Sequence, residues 1–266
     1  MKGISVALFF LLTCKTGISQ KLYDSAVKTY YKGELSNAIR IFTNCINNKE
    51  KVSLAYMYRG SAQAFLGNFE EAFKDLNISR NLDSITNDKI DYYFGKTCLL
   101  NKEYGKALQH FIKSIEKIKD EPDRFDAIAT AEAGLGNFDK AIEFENYAIK
   151  LDSTQMDYFV NRGYAKMKSG FYESSIPDLS KVLAVQNDSK AYFDRGCDYL
   201  ALKMYEKALN DYNSALLISP ANAEILYFRG TTFYYLNMKK ESCADFQRSA
   251  GLGFSESSKM MALHCQ

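Results

Sequence analysis

The chain has 266 residues, of which 47% are hydrophobic and 25% charged, with three prolines and no tryptophan. That balance excludes an intrinsically disordered chain, which is poor in apolar residues and cannot offset its ordering entropy. A formal charge of +2, with Lys and Arg never more than two in a row, excludes the broad positive field that draws nucleic acid.

Residues 1–19 read as a secretory signal rather than as part of the fold. Lys2 gives a basic start. Ile4 to Leu12, with Ser5 its one polar member, is apolar but too short to span a bilayer. Gly17-Ile18-Ser19 offers small residues for cleavage before Gln20. Leu11-Leu12-Thr13-Cys14 is a competing signal, similar to a bacterial lipobox whose cysteine becomes a lipid anchor, although Thr13 stands where that motif wants Gly, Ala or Ser. Either route predicts an exported protein: periplasmic, outer-membrane-associated or secreted. The segment carries two lysines and no acid, so its removal leaves a formally neutral chain. No other stretch reaches the ~18 apolar residues of a membrane helix, so no span is expected.

From residue 20 the apolar positions recur every three or four residues, the spacing of amphipathic helices. A first helix carries Tyr23, Ala26 and Tyr30 and stops at Gly33. The next carries Tyr56, Gly60 and Phe65 and is broken by Gly67-Asn68, after which Phe69, Ala72 and Leu76 start its partner. Gly60 lets that partner approach closely, Phe69 wedges between the two helices, and Leu76 is expected to pack onto the following repeat. Gly95, Gly163, Gly196 and Gly230 repeat the role of Gly60, with Ala26 and Ala129 as the next smallest choice. In the fifth pair Ser175 replaces the small alanine and Pro177 falls inside the second helix, which predicts a late start or a kink near Ser174–Asp178. Helices of ~12–14 residues are marginal alone in water, so stability must come from stacking on neighbours.

The turn residue recurs at Gly33, Gly67, Lys102, Gly136, Gly170, Lys203 and Asn237, at steps of 33 to 35 residues. Tyr56-Met57-Tyr58-Arg59-Gly60 is echoed by Tyr192-Phe193-Asp194-Arg195-Gly196 and by Leu226-Tyr227-Phe228-Arg229-Gly230. Gly67-Asn68-Phe69-Glu70-Glu71-Ala72 is echoed by Gly136-Asn137-Phe138-Asp139-Lys140-Ala141. A helix–turn–helix signature in phase at a 34-residue period resembles the tetratricopeptide repeat. The resemblance covers nearly all of residues 20–253 and implies an all-α, right-handed α-solenoid of about seven pairs. Most repeats lack the family's closing proline, of which Pro220 is the clear instance, and the opening aromatic is never Trp.

The tail from Ser242 through Gly253 to Cys265 resembles a closing repeat, with residues 254–266 as a capping helix. Met260, Met261 and Leu263 are expected to cover the last apolar face. After cleavage five cysteines remain: Cys45, Cys98, Cys197, Cys243 and Cys265. Cys45 and Cys98 fall in helical phase and read as packing. Cys243 and Cys265 flank the terminal hairpin, and an oxidising compartment makes them the expected disulfide pair.

Catalytic chemistry finds little support. The two histidines, His110 and His264, stand apart, and no Cys-x-x-Cys, His-Glu-x-x-His or Walker-type loop occurs. No enzyme, metal or cofactor is expected. The resemblance implies a protein–protein interaction scaffold in which the first helix of each pair lines a concave groove. Carried over by phase, that groove holds Tyr23, Tyr30, Met57, Tyr58, Phe65, Tyr92, Tyr93, Lys96, Asn161, Tyr164, Phe193, Tyr227 and Tyr234. Such ring density suits a partner's apolar peptide or helix. Lys89, Lys96 and Asn161 do not form the Lys/Asn clamp by which some family members grip a C-terminal carboxylate. The competing reading is a constitutive structural subunit of a bacterial envelope or secretion assembly. Arg59, Arg162, Arg195 and Arg229, each just before the glycine, are either anion contacts or structural links that stack on rings and pair with acids of the adjacent repeat.

Overall fold

A computed structural model describes residues 22–82 and 87–265, so the expected signal segment and the lipobox at Cys14 lie outside the described residues. The described chain is all helical and forms two compact units, up to Leu135 and from Gly136. The N-terminal unit holds α1 (22–31), α2 (Leu35–Asn47), α3 (Val52–Phe65), α4 (Phe69–Leu82), α5 (Asn87–Leu100), α6 (Tyr104–Lys117) and α7 (Pro122–Gly134). The C-terminal unit holds α8 (Phe138–Leu151), α9 (Met156–Lys168), α10 (Tyr172–Leu183), α11 (Ser189–Ala201), α12 (Tyr205–Ile218), α13 (Ala223–Tyr235), α14 (Lys239–Gly251) and α15 (Ser255–His264).

The turn positions read from the sequence all adopt left-handed backbone. Gly33, Gly67, Gly136 and Gly170 have φ between 79° and 81°, and Lys102, Lys203 and Asn237 between 57° and 59°. The left-handed residue folds the chain back so that the next N–H reaches the last helical turn. Asn68 N donates to Gln63 O at 2.9 Å, Glu103 N to Cys98 O at 2.8 Å and Met204 N to Tyr199 O at 2.8 Å. Carbonyls that a helix end leaves open are thereby satisfied within the turn.

The pairs that carry Gly60, Gly95, Gly163, Gly196 or Gly230 close on that glycine. A Cβ on Gly95 would lie 2.5 Å from the Phe111 ring, and one on Gly196 would lie 2.7 Å from the Tyr212 ring. Both rings are fully buried, so the missing side chain is what lets the second helix seat. Leu76 sits against Gly60 of its own pair and also clusters with Ile90 and Phe94 of α5, so it packs in both directions rather than onto the following repeat alone.

The arginines before the glycines are structural, with one correction. Each forks onto an acid sixteen residues later, on the second helix of its own pair and not of an adjacent one. Arg59 holds Asp75 with bonds of 2.7 and 2.8 Å, Arg162 holds Asp178 at 2.8 and 2.6 Å, Arg195 holds Asp211 at 2.8 Å twice, and Arg229 holds Asp245 at 2.6 and 2.7 Å. The remaining guanidinium nitrogen reaches the preceding second helix, at Thr43, Asn146, Ser180 and Asn213 respectively. One side chain thus ties three helices, and bidentate geometry is the reason arginine rather than lysine fills the position. The acid bonds hold the guanidinium of Arg59 and of Arg195 above its ordinary pKa.

α10 corrects one of the two alternatives expected for Pro177, the late start. The helix starts at Tyr172, in register with the other second helices, so no late start occurs. Pro177 and Glu173, whose carbonyl loses its usual donor, are both exposed. The Ser175 hydroxyl donates to Gly163 O at 2.9 Å, which makes serine an adequate replacement for alanine there.

At the chain end Cys243 and Cys265 are joined by a disulfide that ties α15 to α14. Met260 and Met261 are half-buried, whereas Leu263 is 72% exposed and so covers nothing. Cys45 and Cys98 are buried, and burial pushes each thiol up to about 11. They act as small apolar side chains.

Candidate protein-binding face

Within each unit the first helices of successive pairs touch: α3 meets α5 in the N-terminal unit, and α9 meets α11 and α11 meets α13 in the C-terminal unit. Among the described residues successive second helices make no comparable contact, which puts the first helices on the inside of the curve in each unit.

In the N-terminal unit this inner face is a field of phenol rings. Tyr30 packs edge-on against Tyr58 at 5.4 Å, Tyr58 against Tyr93 at 5.6 Å, and Tyr92 against Tyr93 at 5.8 Å. Tyr58 also stacks on Phe42 of α2, at 5.7 Å and 9° between planes. The Tyr31 ring packs edge-on against Tyr58 at 6.4 Å, and Tyr30 Oη shares a 2.8 Å hydrogen bond with Ser61 Oγ. Burial raises the pKa of Tyr23, Tyr30, Tyr92 and Tyr93, so the phenols stay neutral at physiological pH. Lys96 Nζ lies 5.3 Å from the Phe65 centroid and 5.5 Å from that of Tyr92. Burial lowers the pKa of Lys96, against the pull of Asp123 and Asp126.

In the C-terminal unit the face is patchier and more charged. Tyr164 has Phe138 at 6.2 Å, Lys190 Nζ at 4.6 Å and Lys168 Nζ at 5.5 Å from its ring. Lys190 also pairs with the buried Asp194 at 3.0 Å. Phe193 packs against Phe228 at 5.4 Å and Tyr212 at 6.0 Å. Tyr227 lies 5.1 Å from Phe254 and 5.8 Å from Phe246. Tyr234 touches Tyr235 at 5.7 Å and His264 of the capping helix at 4.5 Å.

The groove residues expected from the sequence therefore divide. Met57 is fully buried, and Tyr23, Tyr30 and Tyr93 are nearly so; they are core of the N-terminal unit, not contact surface, because neighbouring helices cover them. Tyr58, Tyr92, Lys96, Asn161, Tyr164, Phe193 and Tyr227 are half-buried, each with an edge in reach of solvent, while Tyr234 is exposed. Tyr31 and Tyr235, which the sequence reading passed over, are 70% and 52% exposed at the last residue of α1 and of α13. Their signal is register: both occupy the phase of Phe65, itself exposed.

Among the described residues no three His, Cys, Asp or Glu side chains gather as a metal would require, and no helix is long and apolar enough to cross a membrane. His110 is committed, with Nδ1 3.0 Å from Asp91 Oδ1 and its ring stacked on Phe94 at 5.2 Å.

Comparison with known proteins follows the same repeat. Residues 189–222, which carry α11 and α12, match the tetratricopeptide repeat family model. The chain is 24% identical over 154 residues to tetratricopeptide repeat protein 13 of Homo sapiens, a match that spans 55% of this chain and 18% of that protein. Among solved structures, the fold is similar to a chain of the APC/C hetero-tetramer Cut9–Hcn1, with a TM-score of 0.80 and 14% identity over 91% of this chain and 48% of that one. It is also similar to YrrB, described as a tetratricopeptide repeat protein with an unusual peptide-binding site, with a TM-score of 0.54 and 17% identity over 74% of this chain and 96% of that one. The helices of this chain pack pairwise as tetratricopeptide helix–turn–helix units, and repeats of this kind mediate protein–protein interactions.

Proposed function

We propose that this tetratricopeptide repeat protein is a non-enzymatic scaffold that holds a partner's apolar peptide or helix on the inner, first-helix face of its units. The observation that carries the reading is the ring field of the N-terminal unit, where Tyr31, Phe65, Tyr58 and Tyr92 offer phenol hydroxyls and apolar edges beside the Lys96 side chain. Tyrosine supplies large contact area at low entropic cost plus one hydrogen bond, which is why it dominates recognition surfaces. The partner is exported too in this reading. Support comes from the signal-like residues 1–19 and from the Cys243–Cys265 disulfide, a bond that persists in oxidising compartments such as a bacterial periplasm.

A second reading, a permanent subunit of an envelope or secretion assembly, is favoured by apolar side chains exposed on the second helices and the turns that follow them. Leu217 on α12 is 84% exposed and Val185, just after α10, is 68% exposed. Site-specific photo-crosslinking separates the two. A photoreactive phenylalanine at Tyr31 or Tyr164 should join a partner in intact envelopes, while one at Leu217 should not. Partner crosslinks from Leu217 alone would sink the scaffold reading and leave the assembly subunit.

A further inference from the structure

Asp198, on α11 of the C-terminal unit, is fully buried, and neither of its carboxylate oxygens has a hydrogen-bond partner. The repeat makes the residue anomalous. The same phase in the other first helices holds Ala62, Thr97, Ala131, Ala165 and Thr232, all buried and uncharged, and in α1 Lys28, which is charged but exposed to solvent. Thr97 and Thr232 satisfy their hydroxyls by donating to the carbonyls of Tyr93 and Phe228, at 2.9 and 2.8 Å. An ionised aspartate has no proton to give and cannot copy that solution.

The groups around it supply no balancing cation. On its own helix stand Asp194 and Cys197, on α10 Glu173 and Ser175, and on α12 Tyr212. Glu224 of α13 and Lys168 of α9 act on Asp194, and Lys190 is bound to Asp194 at 3.0 Å. The Ser175 hydroxyl favours the charged form, but it is already donated to Gly163 O.

We propose that Asp198 is a buried proton-binding site whose neutral carboxyl is the form the core accepts, so that proton uptake stabilises the C-terminal unit and proton loss loosens α11 from its neighbours. Burial is the largest cause and pushes the carboxyl from 3.8 up to about 7, with Asp194 and Glu173 adding to the rise. The direction is opposite to that of a salt-bridged acid. Between about 4 and about 7 the folded chain keeps a proton that the unfolded chain has lost, so stability falls as pH rises through that window and levels off above it.

The test is denaturant unfolding of the full chain from about pH 5 to about pH 8, for the parent, Asp198→Asn and Asp198→Thr. The parent's unfolding constant should rise with pH by up to about tenfold per unit at the steepest point. Both variants should lack that component, seen as a difference profile that cancels the other acids. Threonine already fills this position in two other helices, so Asp198→Thr decides the matter if Asp198→Asn does not fold. The infrared carbonyl stretch of a protonated acid should be present in the parent at about pH 6 and missing from the folding variant. Parallel pH profiles for parent and variants, or a protonated-acid band that survives the substitution, overturn the proposal.

Discussion

The α5–α6 pair and the α11–α12 pair share a backbone plan and differ in how it is locked. Both place a lysine, Lys102 or Lys203, in the left-handed turn. Both seat a ring on a glycine, Phe111 on Gly95 and Tyr212 on Gly196. In α11–α12, Arg195 forks onto Asp211 and reaches back to Ser180. In α5–α6 the same two positions are Phe94 and His110, stacked at 5.2 Å and 19°. Arg80 of the preceding helix lies 4.0 Å from the Phe94 ring centroid and bonds Asp91, which also meets His110. The glycine contact and the left-handed turn are thus the parts that these two pairs share. The polar lock is interchangeable, provided that its buried groups stay satisfied.

Breaking the lock should have the largest effect. Asp211→Ala leaves the Arg195 side chain, only 18% exposed, without its carboxylate. A loss of about 3 kcal/mol in denaturant unfolding is expected, because an unpaired buried charge remains. Arg195→Met with Asp211→Leu should recover most of that loss, since both charges leave together; an equal loss in the double variant would show that the pair itself is the stabiliser. The shared glycine contact comes next. Gly95→Ala puts a methyl 2.5 Å from ring atoms of Phe111, which is buried and has nowhere to go. Overpacking of this kind costs about 2 kcal/mol, read as a lower unfolding midpoint with an unchanged slope. The turn gives the smallest effect. Lys203→Gly removes the strain of a left-handed lysine with φ 57° and should raise stability by roughly 0.5–1 kcal/mol, as should Lys102→Gly. A loss at both positions would mean that the lysine side chains, not the backbone, shape these turns.

The period, the seven turn positions and the close-approach glycines were legible in the sequence because backbone geometry dictates them residue by residue. A left-handed turn needs a residue that tolerates it, and a tight helix crossing needs a missing side chain. The recurring arginine was legible as a structural element, but its acid partner was not, since the choice between its own pair and the next depends on how two helices face each other. Periodicity puts Tyr30, Tyr31, Met57 and Tyr58 near one face and says nothing about what covers them. The tertiary structure decided that Met57 and Tyr30 are core while Tyr31 is open to solvent. It also left Asp198 sealed without a partner. Burial is a sum over neighbours distant in sequence, and a one-dimensional pattern does not carry that sum.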